Sequence, residues 1–123
     1  MRPSLALTLA ITIIATPVLA RDARHIPEAI PAGPALSCIP LSGIRTSHVR
    51  NDQIIDFAMS GGKTYRNTLP TACPGLGFQE SFSYETSLSQ LCSTDIVTVI
   101  YTSPPMRGAS CGLGSFQPVT LSR

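Results

Sequence analysis

The chain has 123 residues, nine Lys/Arg against seven Asp/Glu, and no tryptophan. That length holds one modest domain and not two. Its basic residues are scattered singly, with no stripe interleaved with aromatics, so nucleic acid is not an expected partner.

Residues 1–20 read as a cleavable secretory signal. Arg2 gives a short positive start, Leu5 to Ala15 an apolar run, and Pro17 a break. Val18 and Ala20 then stand at the −3 and −1 positions of a cut before Arg21. The apolar run is shorter than the roughly 20 residues of a membrane span. Every later apolar stretch is interrupted by Pro, Gly or charge, so no span is expected after signal removal. Cys38 lies too far beyond the run to be a lipid-anchored cysteine. A periplasmic or secreted location follows, with about a hundred residues left to fold. A domain of that size buries only about two-thirds of its unfolded surface, which makes cross-links valuable.

Residues 21–37 carry Pro27, Pro31 and Pro34, which exclude a helix and predict an extended, mobile lead. From Cys38 to residue 123 the signals are β signals. Ile39, Leu41 and Ile44 are apolar, with Gly43 marking a bulge or bend. Arg50-Asn51-Asp52 is turn-like, because Asn and Asp bond their own backbone. Gln53 to Met59 places Ile55, Phe57 and Met59 on one face, with Ile54, Asp56 and Ala58 on the other. Ser60-Gly61-Gly62 closes a hairpin, since glycine accepts positive φ. Lys63 to Leu69 returns with Tyr65, Asn67 and Leu69 opposed to Thr64, Arg66 and Thr68.

Pro70 to Thr94 is less patterned. A short strand is expected within Glu80 to Glu85, and Leu88, Leu91 and Cys92 have the spacing of a helical turn that competes with loop. Asp95 to Tyr101 is β-branched on both faces and predicts a buried central strand. After the Pro104-Pro105 turn, Gly108 to Leu121 supplies the final strand, its end demoted to an edge by Pro118. The expected fold class is all-β, a small single-domain antiparallel barrel or sandwich with two disulfides.

Those disulfides come from Cys38, Cys73, Cys92 and Cys111, an even count that allows three connectivities in an exported chain. Zinc ligands come in close C-x₂₋₄-C pairs, and none is present. His25 and His48 stand apart in sequence, so no metal site is expected. The expected pairing nests Cys73–Cys92 inside Cys38–Cys111, on the premise that the first and last strands are neighbours.

No catalytic set and no cofactor motif stand out. His48 is the one imidazole a hydrolase could use as base, and it reads as an exposed strand-end side chain. Of Asp52, Asp56, Glu80, Glu85 and Asp95, Asp56 is expected in a surface cross-strand pair with Arg66. Asp95 is expected to cap a turn. Gly75-Leu76-Gly77 and Gly112-Leu113-Gly114 lack the Lys-Ser/Thr of a phosphate loop and read as turn glycines. The candidate binding residues are Tyr65 and Arg66, together with Phe78, Phe82 and Tyr84. Aromatics are enriched at contacts, although in so small a domain they more often fill the core.

The frame Cys38, Asn51-Asp52, Tyr65-Arg66, Leu69, Cys73-Pro74, Cys92, Asp95 and Cys111 resembles a group of small exported bacterial proteins catalogued as a domain of unknown function. In that group a Cys leads a strand, an Asp-rich turn follows, and a Tyr-Arg strand runs into Cys-Pro. The resemblance covers about residues 38–111. It departs at Ile39-Pro40, where members carry an aromatic pair, and at Cys111-Gly112, where many have Cys-Pro. It implies the disulfide frame and no activity. Separately, Ser60-Gly61-Gly62-Lys63-Thr64-Tyr65 is similar to the Ser-Gly-x-x-Tyr plug loop of the small β-barrel periplasmic lysozyme inhibitors of the membrane-bound C-type group. It has one residue more, which turns Tyr65 to the other face.

The expectation is an exported, non-enzymatic domain that either binds a partner, a protein or an envelope component, or supports the cell envelope. Its alternatives are a periplasmic enzyme inhibitor acting through the Ser60–Tyr65 hairpin and a small hydrolase.

Overall fold

The structure, a computed structural model, describes residues 4, 6, 8–13, 25–86 and 88–122. The expected cleavage site, with Val18, Ala20 and Arg21, lies outside the described residues. Among the described residues no helix is long and apolar enough to cross a membrane.

Alternating apolar side chains dictate strands, and the described residues form ten of them. In chain order these are β1 (Ala29–Pro31), β2 (Cys38–Pro40), β3 (Ile44–Val49), β4 (Ile54–Met59), β5 (Thr64–Thr68), β6 (Phe82–Tyr84), β7 (Gln90–Cys92), β8 (Ile96–Thr102), β9 (Pro105–Gly112) and β10 (Phe116–Leu121). A four-residue helix, α1 (Leu76–Gln79), stands between β5 and β6. A 3₁₀ turn at Leu41–Gly43 and a bulge between Ile44 and Thr46 occupy the region where Gly43 predicted a bend.

The strands make a five-stranded sheet in the order β1-β10-β5-β4-β3, a three-stranded sheet β6-β8-β9 and a ribbon β2-β7. Every pairing is antiparallel. The arrangement is sandwich-like and not a closed barrel.

The β4–β5 hairpin forms in the predicted register, with Phe57 opposite Tyr65 and Asp56 opposite Arg66. Gly61 and Gly62 take positive φ at its turn. Its inner face, Ile55, Phe57, Met59, Tyr65 and Leu69, joins Ile39, Leu91, Val97, Val99 and Phe116 in one core. The Phe57 ring meets Phe116 and Phe82 edge-on, at centroid distances of 5.7 and 6.4 Å. Each such side chain contributes about 1.5–3 kcal/mol on burial.

Elsewhere the structure corrects the reading. Leu91 and Cys92 belong to a strand and not to a helical turn, because Leu91 pairs with Ile39 and fills the core while Leu88 stays exposed. β8 is central in its sheet, but only Val97 and Val99 are buried; Ile96 is exposed. The stretch read as one final strand is two, β9 and β10, which lie in different sheets.

Pro118 does not mark an edge, since β10 runs between β1 and β5. Its carbonyl accepts from the Ala32 N–H at 2.9 Å. In an antiparallel ladder its imide nitrogen therefore faces the same side, where the β1 pairing ends, and no donor is missed there. Part of the lead read as mobile is in fact tied down. Ala29–Pro31 pairs with β10, and Leu36 and Phe116 exchange two backbone hydrogen bonds of 2.8 Å.

The disulfides are Cys38–Cys92 and Cys73–Cys111, not the nested pairs expected. The first and last strands, β1 and β10, are neighbours, but neither carries a cysteine: Cys38 lies on β2 and Cys111 on β9. Cys38 on β2 lies directly opposite Cys92 on β7, with Cα atoms 4.0 Å apart.

Candidate functional site

The turn at Asn51-Asp52 organises one end of the molecule. The Asn51 side-chain oxygen accepts the N–H groups of Gln53 and Ile54 at 2.8 and 2.7 Å, the local bonding that makes Asn a turn residue. The Asp52 carbonyl accepts the Cys73 N–H at 2.7 Å, and its carboxylate accepts the Gly77 N–H at 2.8 Å. Gly77 lies so close to the Asn51 backbone that a Cβ would come within 3.0 Å of it. With Leu76 buried and Cys73 bonded to Cys111, α1 is fixed at several points. From that turn Phe78 projects with 84% of its surface exposed.

The outer face of the five-stranded sheet holds a buried ion cluster. Asp56 is 0% exposed. Its Oδ2 accepts from Arg50 Nε at 2.9 Å and from Arg66 Nη2 at 2.9 Å, and its Oδ1 accepts from Arg66 Nε at 2.8 Å. The expected Asp56–Arg66 pair is thus present in register but is not a surface pair. The lead crosses this face, where Arg66 Nη2 also donates to the Pro27 carbonyl at 2.9 Å. Burial alone would push the Asp56 carboxyl up. The hydrogen bonds from Arg66 and Arg50, with their two positive charges, outweigh it and hold the group below the ordinary aspartate range. Two guanidinium groups on one carboxylate leave an excess of one positive charge.

The residues expected to bind are placed mostly in structural roles. Tyr65 is 9% exposed and packs in the core, while Arg66 is committed to Asp56 and Pro27. Phe82 packs against Phe57, and the half-exposed Tyr84 lies beside it at 6.4 Å. Only Phe78 of the aromatic trio is presented freely to solvent. Asp95 caps its turn as expected, its Oδ2 accepting the Cys92 N–H at 2.7 Å.

What the sequence reading missed is a juxtaposition. A depression of about 380 Å³ is lined by His25, Ser47, His48, Arg50 and Glu80, so the lead, β3 and the end of α1 meet there. The two histidines, each isolated in sequence, share one surface because the lead folds back over the sheet. No local pattern signals that meeting. Among the described residues no hydrogen bond joins either histidine to a serine, and no group of three or more His, Cys, Asp or Glu is placed to hold a metal ion. The chain matches no protein-family model, no curated protein and no solved structure.

Proposed function

We propose that this chain is an exported binding domain, acting in the periplasm or outside the cell, whose contact surface centres on Phe78 and takes in the depression that Glu80, two residues further on, helps to line. The observation that carries this reading is a large apolar side chain, 84% exposed, on a helical turn whose own backbone is immobilised. Aromatic side chains presented on rigid supports are the usual anchors of protein contacts.

Export is supported by two disulfides, which suit an oxidising compartment. It is supported too by Leu9, Ile11 and Ile13, which are exposed and take no part in the core. The four-cysteine frame favours grouping the chain with the small exported proteins it resembles. The inhibitor reading needs Tyr65 offered at a loop tip, and it draws no support from a buried ring.

The test is a photo-crosslinking side chain at position 78 in the exported protein, alongside Phe78→Ala. A discrete crosslinked partner, with Phe78→Ala keeping its thermal midpoint and losing partner capture, is the expected result. Undiminished capture by Phe78→Ala would refute the assignment.

A further inference from the structure

We propose that the depression between the lead and β3 binds an oxyanion, a carboxylate or a phosphate, with Arg50 as its main contact and His25, His48 and Ser47 around it. This rests on reading that end of the molecule as a contact surface, and it adds the ligand's chemistry. Arg50 spends its Nε on Asp56, yet its side chain remains 22% exposed in the depression. That anchoring fixes the guanidinium plane, so its outer nitrogens meet a ligand without further ordering.

The charges facing the site come from every element around it. They are His25 from the lead, His48 from β3, Arg50 just past its end, Glu80 from the end of α1, and beneath them Asp56 of β4 and Arg66 of β5. Glu80 has an interaction of its own. The Arg50–Asp56–Arg66 cluster carries one excess positive charge, which Glu80 offsets, so the site's excess comes from the two histidines, each adding a positive charge when protonated. An anion is therefore favoured over a cation or a neutral group in mild acid, where imidazoles as a class become charged. The Ser47 hydroxyl supplies a neutral donor of the kind an oxyanion accepts.

The experiment is a ¹⁵N NMR titration of the mature protein with inorganic phosphate and, separately, succinate, at constant ionic strength and at two pH values spanning histidine titration. Saturable shifts confined to Ser47, His48, Arg50 and His25, tighter at the lower pH, are expected. His48→Gln, at an exposed position that should not disturb folding, should weaken binding by roughly three- to tenfold, the scale of one ordinary hydrogen bond. Arg50→Gln should abolish it, and Lys63→Gln at the distant hairpin turn should leave it unchanged. The stronger of the two ligands identifies phosphate or carboxylate as the source.

Absent or unsaturable shifts, or shifts as large at Arg107 and Lys63 as at Arg50, would overturn the proposal. If phosphate still titrates Arg50 while Phe78→Ala captures its partner normally, the anion site stands and the Phe78 surface falls. The reverse pattern removes the anion site alone.

Discussion

Asn67 and Asp56 sit on paired strands of one sheet, both buried, on opposite faces. Asn67 faces inward. Its Nδ2 donates to the Gly114 carbonyl at 2.7 Å, and its Oδ1 accepts the Gly114 N–H at 2.8 Å. The side chain thus imitates a strand partner where the chain passes from β9 to β10. Gly114 permits the approach, because a Cβ there would strike the Thr68 carbonyl oxygen. Asp56 faces outward and is satisfied by two arginines. The amide is neutral and bonds to backbone through both its nitrogen and its oxygen, so it fixes where one sheet hands over to the other. The carboxylate needs two cations, and the surplus charge is left at the surface. One buried polar group specifies the path of the chain; the other shapes an electrostatic surface.

The contrast can be broken experimentally. Asp56→Ala leaves two guanidinium groups crowded under the lead and should cost about 3–5 kcal/mol in urea unfolding, the scale of a buried pair that has lost one partner. Asp56 also makes stability depend on acid. Its carboxyl is held below the ordinary value of 3.8 in the folded state, so on acidification the unfolded chain takes up the proton first. The contribution is present in full above that value and is lost as pH falls through the lower, folded one. Asp56→Asn should flatten this part of the pH–stability profile.

Asn67→Leu orphans both Gly114 groups and should cost about 2–4 kcal/mol. Its penalty should be the same at pH 4 as at pH 7, and a penalty that tracked pH would dissolve the distinction. His48→Ala, on the exposed outer face beside Asp56, should move stability by no more than about 0.5 kcal/mol. A larger loss would mean that the imidazole belongs to the buried cluster.

Much of the framework was legible because short-range rules govern it. The alternation of Ile55, Phe57 and Met59 against Tyr65, Asn67 and Leu69, with Gly61-Gly62 between, names a hairpin, its register and its inner face. Asn51 and Asp95 announced their turns by the bonds their side chains make. What escaped depends on long-range company. Gln90–Cys92 becomes a strand only because β2 lies beside it, and Asp56 is buried among Arg50, Arg66 and its sheet neighbours, with the lead bonded to Arg66. The break between β9 and β10 is sealed by Asn67, far away in sequence. The site was less legible than the fold for the same reason: His25 and His48 become neighbours through tertiary folding alone.

The interleaved order of the bridges, Cys38–Cys92 with Cys73–Cys111, bears on survival among proteases. Two backbone cuts, one between Cys38 and Cys73 and another between Cys92 and Cys111, would release the central piece from a chain with nested bridges. Here Cys92 ties that piece to the first fragment and Cys73 ties it to the last, so the nicked protein remains one covalent body.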